Sequence, residues 1–148
     1  MLQLFGCDIR RGAFFLAERG IEAEVKGRQK NPYSVWRKME RKSIAFEQLS
    51  DIYGFRIIVS SVDDCYRALG MVHSTWRAVP GRFKDYISTP KQNGYRSLHT
   101  GVIGPEQQRI EIQIRTRDMH DIAEFGLRSL RRQIGVVPQT TLLFNGTL

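Results

Sequence analysis

Two cysteines in 148 residues, Cys7 and Cys65, are too few for a disulfide framework, and neither belongs to a metal-ligand spacing. Both are read as free thiols. No stretch approaches the roughly 20 uninterrupted apolar residues of a membrane span, and Met1 to Phe15 lacks the ordered regions of a signal peptide, so a cytoplasmic protein is expected. There are no internal repeats. Acidic residues are in deficit, 15 against 23 Lys and Arg, which leaves a net charge of +8. Such an excess points to an anionic partner, a requirement that nucleic acid, phosphorylated small molecules and anionic membrane would all meet. The remaining composition, 41% hydrophobic and 26% charged, is that of one globular domain with a real core.

The apolar pattern changes period along the chain. Ile21 to Val25 alternates apolar and acidic residues, as a short half-buried strand would, and Gly27 to Pro32 reads as a basic turn. From Pro32, a residue tolerated in a first helical turn, Val35, Trp36 and Met39 fall at helical spacing. Asp51 to Val59 is almost continuously apolar, β-branched or aromatic, which predicts a central strand covered on both faces. Ser60 to Asp63 supplies a helix entry. Cys65, Leu69, Val72 and Trp76 then mark an amphipathic helix that ends before Pro80-Gly81. Ser97 to Ile103 and Arg109 to Thr116 read as strands joined by a Gly104-Pro105 turn. In the second, Ile110, Ile112 and Ile114 alternate with Glu111, Gln113 and Arg115, giving one core face and one polar face that looks into solvent or into a site. Arg117 to Arg132 reads as a last helix, and Val136 to Leu148 has no charged side chain.

Binding a nucleoside polyphosphate takes cationic donors, a flat surface for the base and carboxylates for a divalent metal. All three are present in turns and at strand ends. Arg28 and Lys30 precede a helix, Arg82 and Lys84 occupy a glycine-entered loop, and Lys91 and Arg96 bracket Asn93-Gly94-Tyr95, with Tyr86 nearby. Asp51 opens an apolar strand and Glu111 projects from a polar face. Plain reasons would also account for them: solvated surface charge for the cations, a strand cap for Asp51, and a salt bridge from Glu111 to its same-face neighbour Arg115. His73, His99 and His120 show no metal-ligand spacing. His73 is expected to pack on its helix, while a ligand contact and a structural hydrogen bond stand equally open for His99. Trp36, Trp76 and Phe55 are expected in the core.

Several long runs together resemble the RelA/SpoT family of guanosine tetraphosphate and pentaphosphate synthetases. They are Gly27 to Lys30 with Pro32 to Met39, Asp51 to Arg56, Pro80 to Ile87, Pro90 to Thr100, Ile110 to Thr116, and Met119-His120 with Ala123 to Gly126. The resemblance divides the chain into a divergent segment 1–15, a synthetase-type domain 16–126 and a divergent tail 127–148. It implies an α+β fold, a nucleotidyltransferase-like mixed sheet flanked by helices. The implied reaction moves the β,γ-pyrophosphate of ATP to the 3′-hydroxyl of GDP or GTP with release of AMP. By the same resemblance Asp51 and Glu111 would hold Mg2+, with Glu111 also the general base. Arg28, Lys30 and Lys38 would serve ATP. Arg82, Lys84, Lys91, Asn93, Tyr95 and His99 would serve the guanine nucleotide, with Tyr95 stacked on the base.

The basic Arg82-Phe83-Lys84-Asp85 loop matches the bifunctional branch of the family, yet 148 residues leave no room for its hydrolase and regulatory domains. ATP and GDP or GTP are thus the expected partners, membrane and nucleic acid are not, and a homo-oligomer is compatible. The loss of pattern at both ends keeps a second reading open, a catalytically impaired fragment that holds guanine nucleotide or acts as an interaction module.

Overall fold

Alternating apolar residues build the sheet and helical spacing covers one side of it. The computed structural model describes residues 12–29, 32–43 and 53–134; Cys7, Lys30, Asp51 and the uncharged tail lie outside the described residues. Among the described residues there are six strands: β1 (Ala23–Gln29), β2 (Tyr53–Val59), β3 (Arg77–Ala78), β4 (Lys84–Asp85), β5 (Leu98–Ile103) and β6 (Arg109–Thr116). The helices are α1 (residues 12–18), α2 (Pro32–Lys42), α3 (Val62–Thr75) and α4 (Arg117–Ile134). The strand order is β1-β2-β6-β5-β3, with β4 also paired to β5. Among the described strands only β2 and β6 run parallel, so the sheet is mixed and the fold is the expected α+β type.

Register decides which side chains share a face. Ile57 and Val59 of β2 lie opposite Ile114 and Thr116 of β6, and Leu98, Thr100 and Val102 of β5 lie opposite Ile114, Ile112 and Ile110. Cys65, Ala68, Met71 and Val72 of α3 close this face, and every one of these side chains is buried. Helix α3 starts as its sequence predicts. The Ser61 hydroxyl accepts a 3.2 Å hydrogen bond from the Asp64 amide, and Asp63 and Asp64 place negative charge in the first turn. At the C-terminal end, Trp76 packs against the core, as does Phe55.

Two expectations fail. The basic turn over Gly27 to Pro32 is strand through Gln29, because Gly27, Arg28 and Gln29 pair with Phe55, Gly54 and Tyr53 of β2, and the ladder satisfies a backbone whose side chains carry no strand signal. Trp36 is not core. It is 52% exposed and meets Tyr33 at 5.8 Å between ring centroids. A helical period shows which residues share a face; it does not show whether anything covers that face.

Candidate active site

The second face of the sheet is polar and largely open, and two register rows run across it. In one row Glu111 of β6 has glycines on both neighbouring strands, Gly54 on β2 and Gly101 on β5. Glu111 has no hydrogen-bond or ion-pair partner among the described residues. A side chain at Gly101 would meet Arg82, whose Cβ lies 3.0 Å from where the new Cβ would sit. The glycine lets the Arg82 stem lie across the strand. The backbone of Arg28, opposite Gly54, continues this row onto β1. The next row carries Lys26, Arg56, Gln113, His99 and Lys84 from five strands in succession.

A groove of about 210 Å³ opens over the first row, lined among others by Arg82, Lys84, His99, Gly101, Arg109 and Glu111. Four residues singled out from the sequence thus meet in one place, Arg82, Lys84, His99 and Glu111. Lys91, Asn93 and Tyr95 join them through His99. The Tyr95 hydroxyl and His99 Nε2 share a 2.7 Å hydrogen bond, and Tyr86, Tyr95 and His99 pack edge to face. The Lys91 ammonium lies 4.7 Å from the Tyr86 ring centroid and 5.2 Å from that of Tyr95. These are cation–π distances. Asn93 shapes the loop: its side-chain oxygen accepts from the Tyr95 amide at 3.1 Å, and Gly94 at φ +80 takes the left-handed conformation that closes the turn. Asp85 fixes the other end. Its carboxylate accepts from the amides of Ile87 and Ser88 and from the Tyr66 hydroxyl of α3, each at 2.9 Å.

Burial, together with the positive charges of Lys91 and Arg115, pushes the His99 imidazole down to about 4. At neutral pH it is therefore uncharged, able to share a proton with Tyr95 and to offer a ligand a neutral polar edge.

The bridge from Glu111 to Arg115 does not form. Arg115, 2% exposed, donates instead from Nη2 to His120 Nδ1 at 2.8 Å and lies 3.8 Å from Glu124 Oε1. Arg56 donates to the same Glu124 oxygen at 3.3 Å. Burial and the two arginines hold His120 below the usual histidine value, which leaves Nδ1 free to accept. His73 bonds the Thr100 hydroxyl at 2.6 Å, a structural role. Lys38 lies on α2 and is not among the groove's lining residues. Arg28 is placed by its backbone alone, and Lys30 and Asp51 lie outside the described residues.

Sequence reasoning missed Arg56, Arg109 and the glycine pair. A lone arginine inside an apolar strand was the available signal for Arg56. The glycines had none, because their meaning depends on the β2–β6–β5 register.

Glu111 flanked by glycines, a cationic groove and an aromatic loop beside it thus lie together on one face of a mixed sheet. A family described as the region found in RelA and SpoT proteins matches residues 27–132. The chain belongs to the RelA/SpoT family. It is 69% identical over 110 residues to the GTP pyrophosphokinase of Brucella ovis, covering 74% of this chain and 15% of that protein. To the GTP pyrophosphokinase of Escherichia coli it is 51% identical over 108 residues, 73% of this chain and 14% of the other. The chain thus spans about a seventh of the length of these relatives. Among solved structures, small alarmone synthetase 1 of Bacillus subtilis bound to its product pppGpp is 30% identical, with a TM-score of 0.70 over 95% of this chain and 79% of that one. Small alarmone synthetase 2 of the same organism is 32% identical, with a TM-score of 0.71 over 95% and 80%. No helix among the described residues is long and apolar enough to cross a membrane.

Proposed function

We propose that this chain transfers the β,γ-pyrophosphate of ATP to the ribose 3′-hydroxyl of GDP or GTP, releasing AMP. The observation that carries the reading is Glu111, a carboxylate with no partner among the described residues, set between two glycines on the floor of a groove rimmed by Arg82, Lys84 and Arg109. The names of the relatives support it.

A ribose hydroxyl is a weak nucleophile at neutral pH. A carboxylate within reach takes its proton as the new bond to phosphorus forms, and cations around the transferred group spread its charge. Glu111 is assigned the proton. Arg82 and Lys84 are assigned phosphates of the guanine nucleotide, the first as a planar fork and the second as a point charge. The Tyr95 ring offers a rigid face to the guanine base, held by its bond to His99 and by the turn that Asn93 forms. Lys91 has to leave the Tyr95 ring where the base takes that face, and it then reaches phosphate. Arg28, Lys30 and Lys38 are assigned to ATP.

Mg2+ fits the donors at hand. A hard cation prefers carboxylate oxygen and keeps part of its shell for substrate phosphates. Glu111 supplies such oxygens, and Asp51 precedes β2, whose Gly54 lies beside Glu111. Among the described residues no group of three metal-binding side chains exists, so phosphates and water would complete the shell. When bound, the ion would neutralise charge on the transferred pyrophosphate.

Purified protein given ATP, GDP and Mg2+ is expected to release AMP and a 3′-pyrophosphorylated guanine nucleotide. Glu111→Gln is expected to lower kcat by at least about 10²-fold and leave guanine nucleotide affinity within about two-fold. Nucleotide binding without AMP release by folded wild-type protein would replace the enzyme with a binding module.

A further inference from the structure

The proposed reaction leaves one cation of the groove without a task. Arg109 precedes the buried Ile110 on β6 and so shares the polar face with Glu111, two residues along the same strand. It is exposed, lies opposite Ile103 of β5 and lines the groove together with Arg82 and Lys84. Beyond Ile103 the same row carries Arg77 of β3, a second exposed cation, which is not among the groove's lining residues. Among the described residues this row therefore holds no carboxylate to repel an anion.

The three groove cations stand in a fixed order. Lys84 pairs with His99, which is bonded to Tyr95, so Lys84 is nearest the aromatic loop. Arg82 comes next, its stem lying across Gly101 in the row of Glu111. Arg109 is last, one row farther along β6, and rows on one face of a strand are about 7 Å apart. A guanosine with its base on the Tyr95 ring and its 3′-hydroxyl at Glu111 sends its 5′-phosphates along this series. Successive phosphates are closer together than successive rows, so the long side chains lean inward, and each added phosphate brings the next cation within reach. Lys84 and Arg82 meet the first two. A third phosphate, which GTP has and GDP lacks, extends the chain toward Arg109, whose planar fork suits two oxygens of a terminal phosphate.

We propose that Arg109 is a specificity-determining residue that binds the third 5′-phosphate and so raises affinity for GTP relative to GDP. The assignment rests on the synthetase reading for the pose of the guanine nucleotide, though not for turnover, because its effect is on binding.

The test is calorimetric titration of the full chain with GDP and with GTP, each with Mg2+, on wild type, R109A and R77A, with thermal unfolding as the check on folding. R109A is expected to weaken GTP binding about five-fold or more and to leave GDP within about two-fold. R77A removes the same charge outside the groove and is expected to leave both nucleotides within about two-fold. A loss of GTP affinity in R77A that matched R109A would reduce the effect to net charge and overturn the proposal. Equal weakening of both nucleotides by R109A, or of neither, also overturns it. R109T, whose side chain suits a strand, repeats the titration if R109A does not fold. AMP release by wild type is measured alongside. Binding of GDP and GTP without AMP release defeats the synthetase reading and leaves the selectivity of R109A to decide this one, while wild-type protein that binds neither nucleotide overturns both.

Discussion

The two faces of the sheet come from the same strands and meet opposite demands. On one, Ile57, Leu98, Val102, Ile110, Ile112 and Ile114 lie under α3 and are at most 7% exposed. On the other, Arg56, His99, Glu111 and Gln113 alternate with those very residues and stay partly open. A strand with a period of two lets one segment of chain supply a dry core and a charged groove at once. The cost is intolerance of slippage, because a shift of one residue would exchange the faces. Stability should therefore be concentrated on one side and chemistry on the other.

The most direct way to break this division is Ile114→Ala. Ile114 is fully buried where β2, β5 and β6 meet, and its loss should cost about 2–5 kcal/mol in urea unfolding, with kcat per folded molecule nearly unchanged. A loss below about 1 kcal/mol would mean that the apolar face is not where stability resides. Tyr95→Ala probes the other side. Losing one base-stacking ring should weaken guanine nucleotide affinity by about 1–3 kcal/mol in calorimetry, with little change in unfolding midpoint. An affinity that stays the same would remove Tyr95 from the platform.

The smallest effect concerns His99, which belongs to the polar face yet is substantially buried. Its pKa of about 4, against an ordinary 6.5, means that the unfolded chain takes up the proton first as pH falls. The corresponding stability is fully present above about pH 6.5 and is lost between there and about pH 4. Discounted for partial exposure it amounts to about 1–2 kcal/mol. Urea midpoints at pH 7 and pH 5 should fall further for wild type than for His99→Gln, and equal falls would deny the shift.

Most of the frame could be read from local pattern. The isoleucine alternation of β6, the serine cap of α3, the Gly104-Pro105 connection and the final helix all follow from rules that need only neighbouring residues. The strand character of Gly27 to Gln29 did not, since it comes from pairing with β2. Trp36 shows the same limit, its apolar side chain lying uncovered although its spacing was helical. In the site, Arg82, Lys84, Lys91, Asn93, Tyr95, His99 and Glu111 stood out by type and motif. Their neighbours did not. The Arg56–Glu124–Arg115–His120 cluster exists because α4 folds back over the polar face, and the space around Glu111 exists because two distant glycines fall in its row.

That row also has a history in time. Gly54 meets Glu111, and Tyr53 meets Ile110, only across a parallel pairing that leaves α3, β3, β4 and β5 between them in the chain. Such non-local pairings form slowly, after the hairpin of β5 with β6 and the helices have had their chance. During synthesis β1 and β2 leave the ribosome long before β6, so the nascent chain carries β2 with one edge unpaired. The β5–β6 hairpin brings Glu111 beside Gly101 first, and Gly54 completes the row only when β6 docks on β2.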